Sequence, residues 1–259
     1  MSFPDYQTIR LDEIEPGILG VVLNRPEKLN ALNRLMLDEL TDLWAKLKHK
    51  FLDPRVIILR GEGPKGFCGG LDIKESVDES MLNAPALYDW QTRLAEVQLA
   101  MRQIPQPIIC LVHGAAAGAG FSFSLASDIR IISPDARFSA FYINVGLGGA
   151  DMGSSYFLPR MIGFGRAYEF LLTGRFMSAE EAVALGYVSR CVEREQLMDN
   201  ALELARIMVS KDPLAIRLTK EAVNKSLEIG GLEAVLYMEN RNQSVILMHN
   251  MSKGATSLG

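Results

Sequence analysis

The chain alternates between short runs of β-branched and other apolar residues and longer segments in which apolar residues recur every three or four positions. Tyr6 to Leu11 and Ile18 to Leu23 have strand character, and Glu15-Pro16-Gly17 between them is a turn signal, so the two predict a hairpin. After a polar loop over 24–32, Asn33 is placed to cap a helix whose stripe is Leu35, Leu37, Leu40, Leu43, Trp44 and Leu47; it ends near Lys50. Val56 to Leu59 is continuously apolar, the pattern of a strand buried on both faces. Leu87, Trp90, Leu94, Val97, Leu99 and Met101 predict a helix from Pro85 to Arg102, while 76–84 has no period and reads as a loop. Ile108 to Val112, Ile129 to Ile132 and Arg137 to Ala140 are further strands. This order of strands and helices predicts a mostly parallel sheet with helical crossovers.

Beyond Ala140 the pattern becomes helical. A glycine-rich loop over 146–151 precedes a helix running to Ile162. Ser178 with Glu181 forms a capping box, and Asp212-Pro213 starts another helix. Helices over about 194–209, 213–226 and 231–250 complete the chain.

Composition narrows the class. With 259 residues, 48% of them hydrophobic, the chain can build one large or two modest cores. A formal net charge of -4 without a basic block gives no electrostatic reason for a nucleic-acid partner. Met1 to Asp12 lacks a secretory h-region, and no apolar run reaches the roughly 18 residues that cross a membrane, so a cytoplasmic or similarly reducing location is expected. Cys68, Cys110 and Cys191, like His49, His113 and His249, are scattered, so neither a disulfide framework nor a metal site is expected.

Chemistry concentrates where side chains are smallest. The run from Val112 to Asp128, with Gly114, Gly118 and Gly120 among alanines, follows a strand and leads into an apolar helix. A helix amino end without side chains in the way turns its unpaired N–H groups toward a ligand, which suits negative charge developing on oxygen. The loops around Phe67-Cys68-Gly69-Gly70-Leu71-Asp72 and Gly146-Leu147-Gly148-Gly149 also follow strand-like segments, where α/β folds place their sites. The spacings supply neither GxGxxG, nor GxSxG, nor GK[ST], which sets aside dinucleotide-binding, serine-hydrolase and P-loop readings. Cys68 reads as a packed thiol, and His113 as a side chain satisfying its turn.

A set of motifs in order carries a resemblance. These are Asn24-Arg25-Pro26 with Asn30-Ala31-Leu32, the Phe67 to Ile73 loop, the His113-Gly114 to Asp128 block, Leu158-Pro159-Arg160 with Ile162-Gly163, and Leu172-Thr173-Gly174-Arg175 with Ala179-Glu180-Glu181-Ala182. Over roughly residues 8 to 225 the chain resembles the crotonase, or enoyl-CoA hydratase/isomerase, superfamily. The resemblance implies an α/β fold with a spiral ββα core over 1–195 and a helical region over 196–259 that assembles trimers or hexamers. It implies an acyl-CoA thioester as small-molecule substrate, in fatty-acid-type metabolism, with coenzyme A part of the substrate and no permanently bound cofactor. Backbone N–H groups of Gly69 and Ala119 would stabilise the thioester enolate. Lys28, Leu29, Ala31, Gly70, Leu71, Asp72, Ile73 and Gly118 would hold the coenzyme A and pantetheine portions.

Departures choose the reaction. Ser122 and Tyr142 stand where hydratases of the family carry glutamates, which argues against two-glutamate hydration and for double-bond isomerisation or related lyase chemistry. Their simpler roles are satisfying a backbone carbonyl, for Ser122, and shaping the acyl pocket with Phe141, for Tyr142. Asp151 resembles the proton-transferring acid of dienoyl-CoA isomerases and the nucleophile of aroyl-CoA dehalogenases. Three alternatives stay open: Asp151 as the nucleophile of a thioester hydrolase or dehalogenase, Asp151 as a plain helix cap, and an inactive acyl-CoA-binding homologue. The stretch from Met251 to Gly259 lacks the family's acidic pattern with Phe and Lys that reaches coenzyme A, and Lys253 does not match it.

Overall fold

Strand β1 (Ile9–Glu15) and strand β2 (Ile18–Leu23) form the expected hairpin, in a computed structural model that describes residues 3–50, 52–76 and 83–253. The expected loop over 76–84 falls largely on 77–82, outside the described residues, as does the stretch 254–259. β1 runs four residues past Leu11, because its end is a solvated edge in which Asp12, Glu13 and Glu15 hide the strand from an apolar pattern. Asn33 caps α1 (Arg34–Lys48), accepting the Met36 N–H at 2.9 Å. β3 (Val56–Gly61) follows, then a single turn α2 (Ile73–Ser76), α3 (Ala84–Gln103), β4 (Ile108–Val112) and β5 (Ala115–Ala117). The glycine- and alanine-rich run thus contains a short strand before its helix α4 (Ala119–Ala126), which three alanines give no pattern to reveal.

The remaining elements are β6 (Ile129–Ile132), β7 (Arg137–Ser139), α5 (Ser154–Ile162), α6 (Phe164–Thr173), β8 (Met177–Ser178), α7 (Ala179–Ala184), β9 (Arg190–Cys191), α8 (Leu197–Val209), α9 (Pro213–Ser226) and α10 (Leu232–Ser252). The six-stranded sheet has the order β1-β2-β3-β4-β6-β9 and is parallel from β2 onward, with Val21 opposite Leu59, Leu59 opposite Cys110 and Cys110 opposite Arg130. A second sheet, β5-β7-β8, stands beside it.

The strands are apolar on both faces because both are covered. Leu19, Val21, Leu59, Cys110 and Val112 pack with side chains of α1, α3 and α4, while Ile18, Ile58, Ile109, Leu111 and Ile131 pack against Leu197, Ala201 and Ala205 of α8. Full burial of each such aliphatic side chain stabilises by about 1.5–3 kcal/mol. α10 has no buried residue and lies against α9.

Two polar clusters tie loops and helices to this core. Asp128, at the start of β6, pairs with Lys220 of α9 at 2.9 Å and with Arg102 of α3 at 3.0 Å, while the Lys220 ammonium also donates to the Gln106 carbonyl at 2.7 Å. Arg25 bonds the Ala31 carbonyl at 2.6 Å, Glu75 at 2.7 Å and Asp72 at 3.2 Å, fastening the 25–31 loop to the 69–76 segment. The first cluster docks α9; the second shapes the wall of a cleft.

Candidate active site

The loop after β3 pairs with the glycine- and alanine-rich segment through bridges between Gly66 and Gly114 and between Cys68 and Ala116. α4 can approach that loop only because residue 120 is glycine: a Cβ there would lie 2.3 Å from the Cys68 carbonyl oxygen. The two segments open into a cleft of about 90 Å³ walled by Gly69 to Leu71 and Ile73, Gly118 and Ala119, Gln91 and Leu94 of α3, and Phe141, Tyr142, Val145, Leu147, Asp151 and Met152. Its described lining is mainly apolar, with one carboxylate and a few backbone N–H groups, the composition of a small-molecule site.

Ala119 is the first residue of α4, and Gly118 contributes no capping side chain. Its N–H lies at the amino end of a helix whose residues are all buried, and Ala119 lines the cleft. The Gly69 N–H, expected as the second donor, is engaged within the protein. Gly69 donates its N–H to the Leu29 carbonyl at 2.8 Å, and its lack of a side chain serves the same contact, since a Cβ would meet Leu29 Cδ2 at 2.9 Å. Two residues on, Leu71 is held by the Gly70 carbonyl accepting from Leu32 and the Asp72 N–H donating to Leu32, and its own N–H has no acceptor among the described residues. Among the described residues, the backbone donors of this region without an acceptor are those of Gly70 and Leu71 on the loop and of Ala119 at the start of α4. Motif position alone could not separate Gly69 from Leu71, because the competing Leu29 carbonyl comes from a distant loop in which Leu29 and Asn30 have left-handed backbone, φ 53° and 52°.

The other predicted contacts divide. Gly70, Leu71, Ile73 and Gly118 line the cleft. Leu29 underlies Gly69, the Ala31 carbonyl is occupied by Arg25, and the Asp72 carboxylate is paired with Arg25, so these three brace the wall. Lys28 is exposed on the same loop, 4.0 Å from Glu75.

Ser122 and Tyr142 meet, at 2.6 Å between their oxygens. Tyr142 also lies 3.2 Å from the Gly118 carbonyl, which can only accept, so its one proton goes there and Ser122 donates to Tyr142. Both hydroxyl protons are consumed inside the wall. Burial pushes the Tyr142 phenol well above its ordinary value, so it stays neutral.

Asp151 does not cap the following helix. α5 starts after Gly153, and the Asp151 carboxylate binds its neighbour: Oδ1 accepts the Met152 N–H at 2.7 Å. Left-handed backbone at Met152 and Gly153, φ 46° and 86°, turns the chain before the helix and removes its first turn from reach of the carboxylate. Oδ1 also accepts from Gln91 Nε2, whereas Oδ2 has no protein partner among the described residues. The carboxylate is half-buried, and desolvation raises its pKa despite the opposing Met152 and Gln91 hydrogen bonds. Gln91 carries no motif; the available signal was a polar residue at helical spacing between Leu87 and Leu94 on an apolar stripe.

Cys68 and Cys110 are packed in the core, where burial pushes both thiols up to about 12 and keeps them unreactive. His113 shares a hydrogen bond with the Gly63 carbonyl at 2.9 Å, away from the cleft. Among the described residues no three His, Cys, Asp or Glu side chains gather as a metal site, and no helix is long and apolar enough to cross a membrane.

The sequence profile described as enoyl-CoA hydratase/isomerase matches residues 13–258. The chain belongs to the enoyl-CoA hydratase/isomerase family. It is similar to the probable enoyl-CoA hydratase EchA12 of Mycobacterium tuberculosis, 37% identical over 240 residues that cover 91% of this chain and 83% of the relative. It is also 31% identical over 258 residues to the human mitochondrial Delta(3,5)-Delta(2,4)-dienoyl-CoA isomerase, covering 96% of this chain and 78% of that one. A crystal structure of a putative enoyl-CoA hydratase from Streptomyces coelicolor superposes with a TM-score of 0.89 at 34% identity, covering 96% and 89% of the two chains. The mixed α/β fold is thus the crotonase fold, and the family acts on coenzyme A thioesters. Names within this set include both hydratase and isomerase, so the family leaves the reaction to be argued from the cleft.

Proposed function

We propose that this family member shifts a double bond in an acyl-CoA thioester. The observation that carries the reading is the unpartnered Oδ2 of Asp151 in a cleft that also presents the Leu71 and Ala119 N–H groups. The thioester oxygen accepts from those two donors. Asp151 Oδ2 takes a proton from a carbon of the acyl chain, and the C–H electron pair moves through the conjugated system onto that oxygen as an enolate. Asp151 then returns a proton at another carbon, so the product is an isomer of the substrate. Hydration of the two-glutamate kind needs a second group to activate or protonate alongside the first. Ser122 and Tyr142 have spent their protons on each other and on Gly118, which leaves Asp151 as the one carboxyl among the described residues of the cleft wall.

Self-association belongs to the same reading. α10 exposes Leu236, Tyr237, Val245 and Met248, and α9 and the residue after it expose Val223 and Leu227, in the helical region that the family resemblance assigns to assembly.

The test is incubation with β,γ-unsaturated and doubly unsaturated acyl-CoA thioesters in D2O, with products resolved by mass spectrometry and NMR. Isomerised product with deuterium at the reacting carbons, abolished in Asp151→Asn, is the expected result. Addition of one water to the acyl chain overturns the reading in favour of hydration, and an acyl adduct trapped on Asp151 overturns it in favour of nucleophilic displacement.

A further inference from the structure

Gln91 sits on α3 between Trp90 and Leu94, both buried, and joins Leu94 in the cleft wall. Its amide donates to Asp151 Oδ1 across sixty positions of sequence, on the oxygen that also accepts the Met152 N–H. We propose that Gln91 is a positioning residue for Asp151: it holds one carboxylate oxygen so that the other, Oδ2, is presented to the acyl chain. The inference rests on the reading of Asp151 as the proton carrier.

The geometry explains why a second holder is needed. Asp151 lies on a loop, and a bond to the adjacent residue's N–H alone leaves the carboxylate able to pivot about that contact. A donor from a separate element fixes its plane, and α3 is rigidly placed by Trp90, Leu94, Val97 and Met101 in the core. The chemical type matters as much as the place. A lysine or arginine there would pair with the carboxylate and depress its basicity by a full charge, whereas a neutral amide orients the group at a smaller electrostatic effect. Among the described residues lining the cleft, Tyr142 is the one other titratable side chain and it stays neutral, so no charged side chain among them competes with Gln91 for control of Asp151.

The experiment follows the Asp151 carboxyl directly, through its 13C resonance in protein labelled at aspartate side-chain carboxyls, assigned by its absence in Asp151→Asn. The wild type, Gln91→Leu and the isosteric Gln91→Glu are titrated without substrate, with melting curves confirming the fold. Gln91→Leu is expected to raise the titration midpoint by at least about half a pH unit, roughly threefold in proton affinity. In Gln91→Glu two carboxyls meet at Oδ1 and titrate in two coupled steps. In thioester turnover, Gln91→Leu is expected to lower kcat with little change in KM. A midpoint that stays in place in both folded variants overturns the proposal. If the midpoint moves as expected but Asp151→Asn still isomerises thioesters, Gln91 does position Asp151 and the proton-carrier reading is the part that fails.

Discussion

Ala119→Pro removes one backbone donor and sets a ring carbon in its place. Ala119 is the first residue of α4, where the N–H has no acceptor within the helix and proline's fixed φ is compatible with the helical start. Gly118, with φ 51° and ψ -118°, has the freedom to precede a proline. The substitution removes no helical hydrogen bond and puts the ring carbon toward the open cleft, so folding stability should change by less than about 1 kcal/mol, because the helix interior is untouched. Catalysis should change far more. Loss of one such donor costs about 3–4 kcal/mol of transition-state stabilisation, or roughly a hundred- to a thousandfold in turnover. The readout is wash-in of deuterium at the α-carbon of an acyl-CoA in D2O, which reports enolate formation whatever the final product. Melting curves run in parallel. An exchange rate within about threefold of wild type at unchanged Tm, against the expected size of the effect, would refute the placement of the thioester oxygen on Ala119.

Further consequences concern the charged and reactive groups. Asp151→Asn should reduce turnover by about a hundredfold or more, the usual worth of a positioned proton-transfer group. Because burial raises the folded-state pKa of Asp151, its ionisation costs stability as pH rises through that value, so the same variant should melt higher than wild type at neutral pH. For the same reason the acid limb of kcat/KM should lie above the ordinary carboxylate range, with activity rising as Asp151 loses its proton; a limb at or below that range would contradict the assignment. Asp128→Asn leaves the Lys220 and Arg102 cations buried without their counter-charge and should destabilise by about 3 kcal/mol, read as a lower denaturation midpoint at unchanged slope. A thiol reagent should modify one cysteine in the native protein, the exposed Cys191, and all three after denaturation.

Much of this architecture was legible from periodicity. The central strands announced themselves because a parallel sheet covered on both faces needs uninterrupted apolar runs such as Val56 to Leu59, and the helices because Asn33, Ser178 and Asp212 make the caps their positions imply. What stayed hidden had no side-chain signature. β5 is three alanines, and the end of β1 is charged because it is an edge. The engagement of the Gly69 N–H belongs with these. A hydrogen-bond donor on the backbone is available only if no other backbone group has claimed it, and Leu29, forty residues earlier, claims Gly69 through a loop conformation that no local pattern predicts.

The departures from the two-glutamate pattern also gain a physical meaning from the cleft. Replacing two carboxylates by apolar groups would remove charge and leave space for water. Serine and tyrosine instead close on each other, with the tyrosine proton ending on a carbonyl in the turn that precedes the Ala119 donor. That chain fixes Gly118, and with it the amino end of α4, without adding a group that titrates near neutrality. Tyr142→Phe therefore separates support from chemistry. It leaves the buried Ser122 hydroxyl without its partner, a loss of about 1–3 kcal/mol, while the Gly118 carbonyl keeps the Ser122 N–H at 3.0 Å, so Tm should fall. The acid limb set by Asp151 should stay in place, because no titrating proton is removed from the cleft. If the limb vanishes or moves far while the fold persists, Tyr142 carries protons itself, and the single-carboxylate reaction is wrong.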